Sequence, residues 1–176
     1  VVGLLEMLRD AGLRPALCIV GAPSSMQVVI GHKAKRSMRV TVRGRGCHSS
    51  LAPQGVNAVD YAARLVVRMQ DIAARLATEG GRDADYDITH STAHTGTIRG
   101  GTALNIVPDL CTLDCEFRVL PQEEADALVQ ELRDYARDEL EPMMRRIAPE
   151  AGIEIEVFAQ LPGLETPPDA EAVTLV

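Results

Sequence analysis

From Arg36 the chain alternates strictly. Met38, Val40 and Val42 fall on one side and Ser37, Arg39, Thr41 and Arg43 on the other, the pattern of a strand with one face buried and one in water. Leu110 to Val119 repeats it, with Cys111, Leu113, Cys115, Phe117 and Val119 inward, and Ile153, Ile155 and Val157 repeat it once more. His90 to Arg99 is rich in Thr and has no strong apolar face, which predicts an edge strand. Between these segments the apolar spacing lengthens to that of a helix. Asn57 can cap one, with Asp60 three residues on and a stripe of Val59, Ala62, Val66, Met69, Ala73 and Leu76, ending near Gly80-Gly81. A charged turn, Arg82 to Asp85, follows, and Gly100 to Pro108 reads as a loop. A second helix is expected to start at Pro121, with Glu123, Glu124 and Asp126 in its first turn. It carries Leu128, Leu132, Tyr135 and Leu140 and stops at Pro142.

The order strand, helix, strand, strand, helix, strand predicts an α+β fold. This is the ferredoxin-like βαββαβ arrangement, a four-stranded antiparallel sheet with two helices on one face. The first strand then lies between the third and the fourth, so Arg39 and Arg43 should be flanked by Asp114 and Glu116 on one side and by Glu154 and Glu156 on the other. The second strand is left at an edge open to a partner strand. The flanks read differently. Val1, Leu4, Leu5 and Leu8 make a helix face closed by Gly12, Ala16 to Val20 is a continuous apolar run like a buried strand, and Gly21 to Ser25 is a loop at its carboxyl end, where α/β sheets bind ligands. After Leu161 a Pro-rich connector leads away. The small α+β domain thus looks inserted into a larger α/β domain.

The chain has 176 residues, of which 46% are hydrophobic and only 3% aromatic, with no Trp, so the core must be aliphatic. A net charge of −7 with scattered arginines argues against a nucleic-acid surface, and no run is long or apolar enough for a membrane span or signal peptide. The expected setting is soluble and cytoplasmic. Cys18, Cys47, Cys111 and Cys115 form no Cys-x-x-Cys pair. Cys111 and Cys115 share a strand face at about 13 Å, too far for a disulfide or a shared metal, and His90 and His94 fail the same test. Buried free thiols in a reducing compartment are expected. The chain starts at Val1 inside apolar sequence without an initiator Met and stops at Val176, so both ends are expected to be cuts through a longer protein.

The candidate chemistry lies between the first strand and first helix, in Gly44-Arg45-Gly46-Cys47-His48-Ser49-Ser50. The two glycines allow a sharp turn, the serine hydroxyls can tie it down, and a histidine held there is placed to point out of its own domain. Alone, such a histidine also reads as a capping or solvated residue.

With the segments Ile19-Val20-Gly21-Ala22-Pro23-Ser24-Ser25, Gly31-His32-Lys33-Ala34-Lys35-Arg36, Gly46-Cys47-His48-Ser49-Ser50, Gly100 to Pro108 and Glu116-Phe117-Arg118-Val119-Leu120-Pro121, the chain resembles the acetylornithine deacetylase and succinyl-diaminopimelate desuccinylase family of zinc amidohydrolases. Five segments in order over almost the whole chain make the resemblance specific, and the Gly-His-Lys and Cys-His-Ser-Ser-Leu-Ala-Pro segments look most like its acetylornithine deacetylases. The resemblance implies residues 1–33 as an edge of a zinc-dependent catalytic domain, 34–161 as a lid and dimerisation domain, and 162–176 as the return to the catalytic domain. It implies a homodimer through the lid's edge strand and a helix, a small acylated amino-acid substrate such as N-acetyl-L-ornithine in arginine biosynthesis, and two zinc ions (or cobalt) in the full-length parent. Neither a nucleic acid nor a membrane is expected as a partner.

The same resemblance gives His48 the role of a catalytic residue reaching into the partner subunit's site, where it donates to the oxygen that becomes negative. It makes Asn105 a substrate-orienting residue and Arg118 the binder of the substrate's carboxylate. Asn105 also reads as a loop stabiliser, Arg118 as the partner of an exposed acid on the sheet, and Lys33, Lys35 and Arg36 as a solvated strand start. At one position the pattern breaks: Ala22 stands where the family has a glutamate metal ligand, and a methyl group binds no metal. No metal is expected in this fragment, which alone should be inactive. The alternatives are a succinyl-diaminopimelate or other acyl-amino-acid hydrolase, or a non-catalytic dimerisation module that has lost its metal site.

Overall fold

The computed structural model describes residues 2–15, 21, 24–25 and 27–175. The expected strand Ala16–Val20, Cys18 and Ala22 lie outside the described residues. In chain order the elements are α1 (Val2–Asp10), β1 (Gly31–His32), β2 (Ala34–Arg43), a 3-10 turn (Ser49–Gln54), α2 (Ala58–Glu79), β3 (Thr92–Gly100), β4 (Leu110–Val119), α3 (Ala125–Tyr135), a wide π turn (Ala136–Leu140), α4 (Glu141–Arg145), β5 (Gly152–Leu161), β6 (Leu164–Glu165) and α5 (Glu171–Thr174). The chain forms two compact units, Gly31–Glu165 and the two flanking segments together.

In the larger unit β3, β4, β2 and β5 form an antiparallel sheet in that order, with the first long strand between the third and the fourth as the alternation predicts. Met38, Val40 and Val42 of β2 and Cys111, Leu113, Cys115, Phe117 and Val119 of β4 are all buried on the helix side. Ala58, Ala62, Leu65, Met69, Ile72 and Leu76 of α2 and Leu128, Val129, Leu132, Leu140 and Met144 from the second helical stretch cover them. Among the described residues Phe117 is the one aromatic ring fully buried in this core, with Tyr61 and Tyr135 packed partly buried against it. Burial raises the thiol pKa of Cys111 and pushes that of Cys115 up to about 12, so both act as small apolar residues, whereas Cys47, expected to be buried too, is only half-buried. Asn57 caps α2, its Oδ1 accepting from the N–H of Val59 at 3.0 Å and of Asp60 at 3.4 Å.

Several expectations need correction. The stripe of α2 is rotated: Leu65 and Ile72 are buried where Val66 and Ala73 are only partly so, because the inward residues repeat every seven along both rows. Arg39 does sit between Asp114 and Glu156, but Arg43 lies opposite Leu110 and Gly152, since both neighbouring strands end there. Gly100 closes β3 rather than opening the loop.

The second helix starts at Ala125, four residues after Pro121, because Glu123 is drawn aside. Its carboxylate accepts from the N–H of Gly81 at 2.8 Å and from the buried Ser91 hydroxyl, which in turn accepts from the N–H of Leu120 at 2.8 Å. Nor does Pro142 end the helix. The N–H of Glu141 bonds back to the carbonyl of Ala136, five residues earlier, and this wide turn sets Pro142 in the first turn of α4, where its missing N–H costs nothing.

Lys33, Lys35 and Arg36 are tied rather than solvated. Lys33 Nζ donates to the carbonyls of Ile88 and His90, and burial lowers its pKa against the pull of Asp83 and Glu123. Lys35 pairs with Glu116 at 3.2 Å, and Arg36 grips Asp126 through two nitrogens at 2.7 and 3.2 Å. In the flanking unit, α1 ends as expected, with Gly12 at φ 68°.

Candidate functional site

His48 sits on a turn strapped from two sides. At its entry the N–H of Gly44 donates to Asp109 O at 2.8 Å, and Arg45 and Val56 exchange both backbone bonds at 3.0 Å. On the other side the loop after β3 closes on it. Val107 N–H donates to Cys47 O at 2.8 Å, Ser49 N–H donates to Asn105 O at 2.9 Å, and His48 and Ile106 form an isolated β-bridge. Arg45 braces the turn from outside, donating through Nε and Nη2 to the two carboxylate oxygens of Glu150 at 2.9 Å each and through Nη1 to Ile147 O at 2.9 Å. Buried Val56 and Val107 support it from within.

The two glycines of the turn have different reasons from the expected one. Neither has a positive φ; a Cβ on Gly44 would stand 2.0 Å from Val56 O, whereas on Gly46 its nearest neighbour would be at 3.4 Å. Close approach, not turn geometry, requires the glycine at 44.

His48 is exposed and serves as the cap of the 3-10 turn, its Nδ1 accepting from the N–H of Ser50 at 3.2 Å with the Ser50 hydroxyl 2.8 Å away. Among the described residues nothing in the chain bonds to Nε2. Asn105 is brought beside it, through its backbone carbonyl, on a loop that turns at Gly101 with φ 82°. Next to Asn105, Leu104 is fully exposed and Leu51 and Ile106 partly so, giving the turn an apolar rim.

Arg118 is not brought to this place. His48 and Asn105 lie where β4 begins at Leu110, while Arg118 is near its far end, roughly 25 Å along the strand. Its Nε donates to Glu116 Oε1 at 2.8 Å, so the reading of Arg118 as partner of an exposed acid describes its geometry within one chain. Burial works to raise the Glu116 pKa, but the hydrogen bonds from Arg118 and Lys35 outweigh it and hold the carboxyl below its ordinary range. Arg118 also lines a shallow cleft of about 410 Å³ together with Gly31, His32, Lys33, Tyr86, Ile88 and Thr92. The pairing of Glu116 with Arg118 is foreshadowed by their i, i+2 spacing on one strand face. The brace between Arg45 and Glu150 has no such signal, because it joins two irregular segments far apart in sequence.

Among the described residues no group of three or more His, Cys, Asp or Glu side chains is placed to hold a metal ion, and no helix is long and apolar enough to cross a membrane.

Residues 30–144 match the model of the peptidase dimerisation domain of the M20 family. The chain belongs to that family. Acetylornithine deacetylases of Proteus mirabilis and Yersinia pestis are 29% and 30% identical to it over 176 residues, all of this chain and 44% of each of theirs. The chain therefore spans less than half the length of these curated relatives. In solved structures, an aminopeptidase PepT from Bacillus cereus superposes with a TM-score of 0.59 at 23% identity, over 84% of this chain and 35% of that one. A tripeptidase from Staphylococcus aureus gives 0.54, also at 23%, over 84% and 34%. At that identity these two likenesses speak for the fold alone. The family's α+β dimerisation domain, with its four-stranded antiparallel sheet, is the fold the alternation predicts.

Proposed function

We propose that the chain is the dimerisation and lid segment of a zinc-dependent amidohydrolase that removes the acetyl group from N-acetyl-L-ornithine. In this reading residues 34–161, within the compact unit Gly31–Glu165, are the lid, and the two flanks are edges of the catalytic domain. The likeness to acetylornithine deacetylases along the full 176 residues supports the substrate class. One observation carries the mechanism: His48 is held on a braced turn with its outer ring nitrogen unengaged, while Arg118 lies at the opposite end of the sheet. A donor for a developing oxyanion and a clamp for a substrate carboxylate about 25 Å apart cannot meet one small substrate within a single lid. Two copies joined through the open edge of β3 and the helix α2 over it run antiparallel, so each site receives His48 and Asn105 from one subunit and Arg118 from the other. In this reading His48 donates to the oxygen of the attacked amide, Asn105 orients the substrate, and Arg118 binds its carboxylate through the terminal nitrogens left free by Glu116.

The described residues do not fit a metal. The zinc ions of the reading are held by other parts of the protein, and the residues of this chain bind, orient and donate. The isolated chain is accordingly inactive.

The test is hydrolysis of N-acetylornithine by the complete protein in added zinc, in the cytoplasmic pH range, as the natural sequence and with Ala22→Glu and His48→Ala. The expected outcome is activity in the natural sequence or in Ala22→Glu, with His48→Ala lowering kcat by about 10²- to 10³-fold. Turnover of succinyl-diaminopimelate alone would move the substrate to that of the sister enzymes. No turnover of either by either form would favour the second reading, a dimerisation module that has lost its metal site, for which Ala22 at the glutamate position already speaks.

A further inference from the structure

A neutral imidazole carries one proton, and which nitrogen holds it decides what the ring can do. At His48 the surroundings of Nδ1 make that choice. The backbone N–H of Ser50 points at Nδ1 from 3.2 Å, and an amide N–H is a donor only, so Nδ1 must offer it a lone pair. The Ser50 hydroxyl, at 2.8 Å, rotates freely and reaches the same atom as a second donor. A proton on Nδ1 would face the amide hydrogen and forfeit that bond. The proton of the neutral ring is therefore on Nε2.

We propose that Ser50 is a positioning residue that locks His48 in its Nε2–H tautomer and fixes the ring plane, so that the turn presents a single outward-facing hydrogen-bond donor. The cap that closes the 3-10 turn and the device that sets the tautomer are one arrangement. The strapping of the turn by Asn105 O, Val56 and Glu150 makes the direction of that donor a property of the fold rather than of a mobile side chain. The catalytic consequence rests on the reading of His48 as the oxyanion donor: the opposite tautomer would aim a lone pair at a developing negative charge. The tautomer itself does not rest on that reading.

The two are separable in one set of measurements. In the uniformly ¹⁵N-labelled 176-residue chain, long-range ¹H–¹⁵N correlation of the neutral His48 ring should show one protonated nitrogen, Nε2, and one bare nitrogen, Nδ1. Ser50→Ala keeps the backbone N–H but loses the shorter of the two contacts to Nδ1, so Nε2–H should remain the major form while a measurable Nδ1–H fraction appears, and Ser50→Thr should restore the single form. In the complete enzyme Ser50→Ala should lower kcat by about 10- to 100-fold with KM little changed, and Ser50→Thr should recover most of it. A His48 ring that is Nδ1–H or mixed in the natural sequence overturns the proposal, as does a Ser50→Ala ring with an unchanged tautomer. An active enzyme with a mixed ring sinks the lock and leaves the proposed function standing. A fixed Nε2–H ring in an enzyme that turns over no acyl-amino acid does the reverse.

Discussion

At Gly44 the chain has room for a hydrogen and for nothing larger, because Val56 O occupies the place a Cβ would take. Gly44→Ala should therefore destabilise the fold by about 3 kcal/mol or prevent it from forming, whereas Gly46→Ala, two residues on, should stay within about 0.5 kcal/mol of the parent. Urea unfolding of the two variants side by side reads the difference. Arg39 and Asp114 make a second residue-scale case. The guanidinium donates to both carboxylate oxygens, at 2.8 and 3.0 Å, and this hydrogen bonding holds the Asp114 carboxyl below its ordinary range. A folded-state pKa below the unfolded one means that the pair stabilises the fold above the unfolded value of about 3.9 and ceases to do so as pH falls through the lower folded value. In Arg39→Met the Asp114 titration, followed by carboxyl ¹³C shifts, should move up to the ordinary range, and the stability gap to the parent should narrow below about pH 3.9. The position of Arg39 among acids is readable in the sequence, because opposite charges recur at outward positions of strands that alternate cleanly. The brace from Arg45 to Glu150 is not, since no periodicity ties one loop to another.

Elements whose period is unbroken are the ones the sequence predicts well. β2, β4 and the extent of α2 with its Asn57 cap are of this kind, although the buried stripe of α2 is rotated from the expected one. The second helical stretch is harder to read, because a side-chain network takes Glu123 out of the first turn and a π turn lets a proline sit inside what would otherwise be a helix end. Both are tertiary decisions that override local preference. At the sheet's edge, β3 pairs with β4 on one side only, and Ile98 remains about half exposed although its cross-strand neighbour Leu113 is buried. An apolar side chain left half covered at an open edge fits a partner copy. Sedimentation of the chain should show a dimer, and Ile98→Lys should move it to monomer with its circular dichroism unchanged. A monomeric parent would sink the edge-to-edge interface.

On the scale of the whole molecule, the sequence shows which residues are candidates but not how far apart they stand. His48 and Asn105 come together because the turn after β2 and the loop after β3 meet at one end of the sheet, and Arg118 is carried to the other by the length of β4. That distance follows only from register, and register is fixed by the helices buried on one face. Outside this sheet, the larger unit begins and ends in a two-residue ribbon in which Gly31 lies opposite Glu165 and His32 opposite Leu164. For whatever chain lies on either side, the unit is thus a detour whose mouth is one strand spacing wide, about 5 Å. Once Gly31–Glu165 has folded, the ends it hands on are already neighbours. The entropy of closing a loop of well over a hundred residues then no longer weighs on the assembly of the flanks, which face only the closure of a hairpin. A segment joined in this way can be gained, lost or exchanged between hosts without re-routing the chain around it.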